Sequence, residues 1–153
     1  MNTVNYKMNK ATLAEIENHL TECSEQFIPI LSSYVDLHIY SSKIANNATT
    51  FEAWCENYLV GLVAIYYNVE AKNVFITNVS VVSSYQGKSI AGKLLDICFN
   101  LSRDLLYTNV SLDVNKLNIK AISFYKRKGF CVVKSIDNIS SLLRMNLSLL
   151  NKE

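Results

Sequence analysis

The stretch SSYQGKSIAGKLL, residues 83–95, contains Gly87-Lys88-Ser89-Ile90-Ala91-Gly92-Lys93, the opening of a nucleotide phosphate loop of the form G-x-x-x-x-G-K. The next residue of such a loop is Ser or Thr, which holds magnesium; here it is Leu94. The β-rich run NVFITNVSVV, residues 73–82, leads into the stretch, and Ile90, Ala91, Leu94, Leu95, Cys98 and Leu101 recur at helical spacing after it. A strand, a glycine-bearing loop and a helix start form an anion site. Backbone N–H groups at a helix N-terminus lack partners, and the helix dipole adds partial positive charge. Gly87 allows close backbone approach. A nucleoside triphosphate and a coenzyme carrying a pyrophosphate are the two ligands to weigh.

Outward from this stretch, the hydrophobic period changes along the chain. Val4–Met8 alternates as a first strand, and Thr12-Leu-Ala-Glu15 reads as a capping box opening a helix to about Cys23. A second helical region, broken early, is expected from about Phe27 to Ile44, since Pro29 is best placed in a first turn. Phe51–Cys55, the turn Glu56-Asn57 and Tyr58–Tyr67 read as a β-hairpin, with a polar turn at Asn68–Lys72. NVSLDV, residues 109–114, is a strand, and a helix over Asn118–Lys128 ends at Gly129. Phe130–Lys134 and Leu142–Leu149 close the pattern as strands. The order β-α-α-β-β-β-α-β-α-β-β describes a mixed α/β domain, with a mainly antiparallel sheet interrupted by helical crossovers.

Composition excludes several classes. The 153 residues suffice for one domain with a real core, and one proline with four glycines leaves little room for linkers. Half of the residues are hydrophobic and 18% are charged, unlike a disordered chain. A net charge of +2 without a basic run gives no footing for nucleic acid. The longest apolar run, Val60–Tyr67, is far short of a membrane span, and the N-terminus has no signal-peptide core. Cys23, Cys55, Cys98 and Cys131 stand far apart without metal-ligand spacing, as structural thiols of a cytoplasmic protein do.

The triphosphate reading draws some support from Asp113, an acid on an apolar strand, as a magnesium-holding strand has. Leu94 cannot ligate the metal, however, and about sixty residues after the loop are too few for a parallel nucleotide-binding sheet. The pyrophosphate reading accounts for more residues. Val79-Ser-Val-Val-Ser-Ser-Tyr-Gln-Gly-Lys-Ser-Ile-Ala91 resembles the acetyl-coenzyme A motif V-x-P-x-Y-Q/R-G-x-G-I/L-G/A of the GNAT superfamily of N-acetyltransferases. A second block, Leu112-Asp-Val-Asn followed by Asn118, Ala121, Tyr125, Gly129 and Phe130, resembles that superfamily's L-x-V … N-x-x-A-x-x-x-Y-x-x-x-G-F signature. Ser89 stands where the family prefers glycine and Ser83 where it prefers proline. A Cβ at position 89 restricts positive φ and is expected to re-shape the loop slightly.

The resemblance implies one N-acetyltransferase domain over residues 1–153, with a mostly antiparallel central sheet splayed at the cofactor site and flanked by helices. It implies acetyl-CoA as cosubstrate, no metal, and an amine acceptor, in a monomer or homodimer without nucleic-acid or membrane partners. Main-chain groups of Val79, Ser80 and Val81 would hold the pantetheine arm. Amides across Gly87, Lys88, Ser89, Ile90, Ala91 and Gly92 would hold the pyrophosphate. Asn118 would contact the coenzyme, besides being a good N-cap. Tyr125 would protonate the departing thiolate, which a phenol of pKa about 10 can do. The alternative for Tyr125 is a core ring beside Phe124. Asp113 matches in spacing a glutamate proposed as general base in relatives that acetylate protein N-termini; its alternative is a solvated strand acid. The rival to an enzyme is a catalytically silent acyl-CoA-binding regulatory module.

The acceptor is less legible. NNATTFEAWCENYLVGLVAIYYN, residues 46–68, resembles acetyltransferases of bacterial surface-polysaccharide clusters, which implies an amino sugar; a small amine or a protein N-terminus are the other acceptors. His38 lies where the acceptor pocket of such folds is shaped, although a lone histidine is more often simply satisfied, and His19 carries less signal still. Glu52 and Glu56 flank the hairpin and face either substrate or solvent. Tyr34, Asp36 and Tyr40 stand on the same footing.

Overall fold

The structure, a computed structural model, describes residues 3–133 and 140–150. Strand β1 (Val4–Met8) is followed by α1 (Leu13–Cys23). The capping box closes as written: Thr12 Oγ1 accepts the Glu15 N–H at 3.2 Å, and Glu15 Oε1 accepts the Thr12 N–H at 2.9 Å. The next region departs from expectation. Residues 24–36 form two short 3₁₀ turns, Ser24–Gln26 and Leu31–Ser33, and helix α2 covers only Leu37–Asn47. Pro29 lacks the N–H that a continuing helix needs. The effective start signal is Asp36, whose carboxylate accepts the Ile39 N–H at 2.9 Å.

The hairpin is β2 (Thr49–Cys55) and β3 (Tyr58–Asn68), followed by β4 (Asn73–Val81). Helix α3 (Ile90–Asp104) leads to β5 (Asn109–Asn115), and α4 (Ile119–Arg127) to β6 (Cys131–Val132) and β7 (Leu142–Ser148). Of the expected strand at 130–134, Lys134 lies outside the described residues. The seven strands are ordered β1-β2-β3-β4-β5-β7-β6, all antiparallel except β4 and β5. Among the described residues no helix is long and apolar enough to cross a membrane.

Alternation in the strands gives the sheet two apolar faces. One buries Val63, Ile65, Val74 and Leu112 with Leu94, Leu95 and Cys98 of α3; the other buries Leu62 and Ala64 with Ile16 and Leu20 of α1 and Ile44 of α2. Helix α3 docks closely because Gly61 has no side chain. A Cβ there would come within 2.7 Å of Ile90 Cγ2 and 3.2 Å of Leu94 Cδ1.

Two irregularities of β4 make the site. Opposite β3, Ile65 pairs with Ile76 and Ala64 with Asn78, so Thr77 is an extra, bulged residue. Toward β5 the parallel pairing runs only from Asn73–Asn109 to Ile76–Leu112. Beyond Ile76 the two strands part. This is the splayed sheet that the family resemblance implied.

Candidate functional site

Where β4 and β5 part, a cleft of about 1040 Å³ opens. Its walls are Ile76–Val81 of β4, Leu112–Asn115 of β5, the loop and first turn of α3, one side of α4, and the segment around Pro29 with Tyr34 and Tyr40. Of the expected coenzyme ligands, Val79, Ser80, Val81, Gly87, Ser89, Ile90, Ala91, Gly92 and Asn118 line it, as do Asp113 and Tyr125. Lys88 is exposed and is not part of the lining. The free edge of β4 offers main-chain groups to the cleft, because β3 occupies its other edge.

The loop suits an anion. Helix α3 closes its first bond from the Lys93 N–H to the Ser89 carbonyl at 3.1 Å, which leaves the amides before Lys93 directed out of the helix end. Gly87 has φ +79°, and a Cβ there would meet no protein atom within 4 Å, so the loop borders open space. Ser89 is left-handed at φ 62°, ψ 22°, and its hydroxyl makes no capping bond. The Cβ has therefore not kept position 89 out of the conformation glycine favours; the serine carries the strain, on the order of 1–2 kcal/mol.

On α4, Asn118 Oδ1 accepts the Ala121 N–H at 3.1 Å, so half of its amide is spent on the N-cap and its Nδ2 is not. The Tyr125 ring packs edge-on against Phe124 and Phe130, with centroids 5.4 and 5.6 Å away. Burial pushes its phenol above the usual value. The hydroxyl has no hydrogen-bond partner among the described residues, so the packed ring and a proton donor coexist in one side chain. Asp113 turns away from buried Leu112 and Val114, as alternation requires, and faces Arg144 on β7. Arg144 Nε and a terminal nitrogen donate to its two oxygens at 2.5 and 3.1 Å. The same guanidinium lies over the Phe75 ring at 5.5 Å.

The sequence matches the acetyltransferase (GNAT) family over residues 13–130. The chain belongs to that family. No protein of curated function matches it. Solved GNAT-fold structures superpose over nearly the whole chain. A GNAT-family acetyltransferase from Staphylococcus aureus Mu50 has a TM-score of 0.78 at 18% identity, covering 97% of this chain and 100% of its own. The ribosomal-protein-S18-alanine N-acetyltransferase of Escherichia coli has 0.75 at 15%, covering 100% and 97%. The PaiA N-acetyltransferase of Thermoplasma acidophilum, solved with coenzyme A, has 0.73 at 16%, covering 94% and 99%. Identities this low show a shared fold.

Within this GNAT domain, several candidates fall outside the cleft. His38 is exposed and its Nδ1 lies 2.6 Å from Glu17 on α1. Asp36 is the N-cap of α2, and Glu56 is the exposed turn of the hairpin at φ 54°. Glu52 faces neither substrate nor solvent: it is 0% exposed and accepts the N–H groups of Lys10 and Ala11, the Thr50 hydroxyl and the Trp54 indole N–H. Tyr34 stands at the lip of the cleft, and the Tyr40 hydroxyl donates to the Thr77 carbonyl at 2.8 Å, bracing the bulge. Burial, opposed by bonds from Thr77 and Asn78, raises the Tyr40 phenol. Cys23, Cys55 and Cys98 are buried free thiols, and burial pushes Cys23 and Cys98 up to about 12. Among the described residues, no three His, Cys, Asp or Glu side chains gather as a metal site.

The sequence reading missed Asn78 and undervalued His19. Both belong to a buried polar chain joining α1 to the cleft wall. The only signal was polar residues, Asn78 and Ser80, at alternate positions of a strand that reads as buried.

Proposed function

We propose that this GNAT protein is an acetyl-CoA-dependent N-acetyltransferase that acylates a primary amine. The observation that carries this is the gap between β4 and β5, which leads from the open amides of α3 to the Tyr125 hydroxyl within one cleft. The pyrophosphate would lie on the amides from Gly87 to Gly92 and the pantetheine arm along Val79–Val81, with Asn118 Nδ2 as a further donor. The amine nitrogen attacks the thioester carbonyl carbon, and the carbon–sulfur bond breaks as the amide forms. A free β4 N–H receives the developing oxyanion. Tyr125 gives its proton to the departing thiolate, and burial keeps that proton in place near neutral pH. A carboxylate has about four acceptor sites; Arg144 engages Asp113 on both oxygens, and the remaining sites draw in the ammonium and take its proton through water. Holding the amine against the thioester supplies most of the acceleration.

The lining also bears on the acceptor. Asp113 is the one carboxylate among the described lining residues, and Arg144 offsets its charge. Phe27, Ile28, Pro29, Leu31 and Tyr34 add apolar and aromatic lining. Among the described lining residues a polycation finds no second carboxylate beside Asp113, so the acceptor is a single amine on an otherwise uncharged body, such as an amino sugar or a peptide N-terminus.

Thiol release from acetyl-CoA with glucosamine, an alanine-initiated tripeptide and spermidine tests the reading. Turnover with either of the first two above spermidine is expected. Tight acetyl-CoA binding without release from any amine would leave a binding module in its place.

A further inference from the structure

A second depression, of about 270 Å³, lies between the first two turns of α3 and the C-terminal end of α4. Ser89, Gly92, Phe124 and Arg127 line both it and the main cleft, so the two adjoin at the anion loop. Lys93, Asp96 and Lys128 complete its walls. Three cations thus meet one acid, an excess equal to the net charge of +2 on the whole chain. The acid already has a partner: Lys128 Nζ donates to Asp96 Oδ1 at 2.8 Å. That bond uses one of the three ammonium N–H donors. It holds Lys128 beside α3, where a Cβ on Gly92 would lie 3.6 Å from Nζ. Gly92 belongs to the first turn, whose amides point out of the helix end. Arg127 is exposed and makes no hydrogen bond or ion pair among the described residues. Lys93 Nζ lies over the Tyr6 ring at 5.9 Å, with no carboxylate partner among the described residues.

We propose that this depression takes the ribose 3′-phosphate of coenzyme A, with Arg127 and Lys128 as its ligands and Lys93 adding charge. The protein thereby selects coenzyme A over its 3′-dephospho form. Coenzyme A leaves its pyrophosphate in two directions. The pantetheine arm follows the gap between β4 and β5, so the adenosine arm leaves the loop on another side. Ser89 and Gly92 belong both to the loop and to the depression, which gives that arm a path. The two kinds of phosphate need different partners. Each group of the pyrophosphate carries a single charge and suits backbone amides at a helix start. A phosphate monoester carries about −1.5 to −2 charge at pH 7, which only cations match. A guanidinium offers two parallel N–H groups to two phosphate oxygens, and Arg127 has no competing partner for them. The inference rests on the coenzyme half of the proposed function and is independent of the amine.

Calorimetry with coenzyme A and with dephospho-coenzyme A tests it without any turnover. The wild type should bind coenzyme A about tenfold more tightly than the dephospho form, equivalent to about 1.4 kcal/mol. Arg127→Gln should weaken coenzyme A binding about tenfold and keep dephospho-coenzyme A within about twofold. Lys43→Gln removes a charge from α2, on the other face of the sheet, and should leave the wild-type margin intact. Equal affinity of the wild type for the two ligands overturns the inference alone. So does a loss in Arg127→Gln shared by both ligands, or a Lys43→Gln protein that loses the margin as Arg127→Gln does. Binding of neither ligand to the wild type removes the coenzyme reading, and this inference with it.

Discussion

Two buried polar clusters lie on opposite sides of β3 and differ in one respect. Around Glu52, on β2, every acceptor faces a donor: two backbone N–H groups from the loop before α1, the Thr50 hydroxyl at 2.6 Å and the Trp54 indole at 3.0 Å. Around Asn78, on β4, the chain from Leu59 through His19 and Ser80 ends beside the Tyr40 phenol at an amide nitrogen with no partner in full hydrogen-bond geometry. Tyr125 repeats the second pattern, with a packed ring and an open hydroxyl. A satisfied cluster fixes the fold, here by tying the β1–α1 loop to the sheet. An incomplete one is destabilising unless a ligand completes it. The comparison predicts that polar substitutions in the closed cluster cost stability, and that those at the open ends cost catalysis.

The largest expected effect is at an open end. Tyr125→Phe keeps the ring contacts and removes the hydroxyl, so turnover should fall about 10²–10⁴-fold while acetyl-CoA affinity stays within about twofold. The melting temperature should be unchanged. A wild-type rate with a true acceptor would show that the hydroxyl is only a by-product of packing a tyrosine.

Glu52→Ala attacks the closed cluster and should do the reverse. It strands four donors, of which the buried ones lack access to water, and should cost about 3 kcal/mol or more, with a fall in Tm of roughly 6–12 °C. The folded fraction should still bind acetyl-CoA normally. A stable Glu52→Ala protein with impaired amine kinetics would place Glu52 in the site and dissolve the contrast between the clusters.

Gly61→Ala probes the link between fold and site. Its Cβ would meet Ile90 Cγ2 at 2.7 Å, at the first turn whose amides face the cleft. Overpacking of this kind costs about 1–3 kcal/mol. Because the displaced element carries the anion site, acetyl-CoA affinity should fall with stability, a coupling absent in Glu52→Ala. Urea titration and calorimetry on the same variant separate the two losses.

The local signals in the sequence proved sufficient for the elements they govern. The capping box at Thr12, the hairpin turn at Glu56-Asn57 and the strand–loop–helix around Gly87 depend on neighbours within a few residues, and each formed as read. The two GNAT-like blocks placed the cleft because their strands part beside each other. What escaped were pairings set by the tertiary fold. His19 meets Ser80 across 61 positions, Asp113 meets Arg144 across 31, and the Glu52 carboxylate meets the Lys10 N–H across 42. The bulge at Thr77 also changes which β4 side chains share a face, and a period-two reading through it assigns Asn78 to the wrong side. Near Pro29 the early break was legible but its extent was not: the proline's missing donor and the late cap at Asp36 confine the helix to Leu37–Asn47.

Ser89→Gly is a smaller test. It relieves a left-handed residue with no capping bond, so it should stabilise the protein by about 1 kcal/mol and keep or improve acetyl-CoA affinity. The gain is reduced by the greater freedom of glycine in the unfolded chain. Tenfold weaker acetyl-CoA binding would make the serine hydroxyl a ligand and turn this residue into a third open polar end.

The smallest effect concerns protons and follows from the same contrast. Burial lowers the His19 pKa from 6.5, although the Leu59 and Ser80 bonds and the nearby Glu22 charge oppose it; Glu22 itself accepts the Tyr58 hydroxyl. The sign follows from linkage: below 6.5 the unfolded chain binds a proton at this position that the folded chain takes up only at lower pH, so folding weakens as pH falls. The His19 contribution is fully present above 6.5 and is lost through the lowered folded value, up to about 1.4 kcal/mol one unit below the unfolded one. His38, exposed beside Glu17, is the chain's other histidine, so the measurement is made in a His38→Gln background. Unfolding measured from pH 8 to pH 5 in that background should show the slope, and an NMR titration of the His19 ring should assign it. If the His19 ring takes up its proton near 6.5 without loss of stability, the imidazolium is tolerated in the core. The Ser80 hydroxyl would then be free to donate to the Asn78 side-chain oxygen.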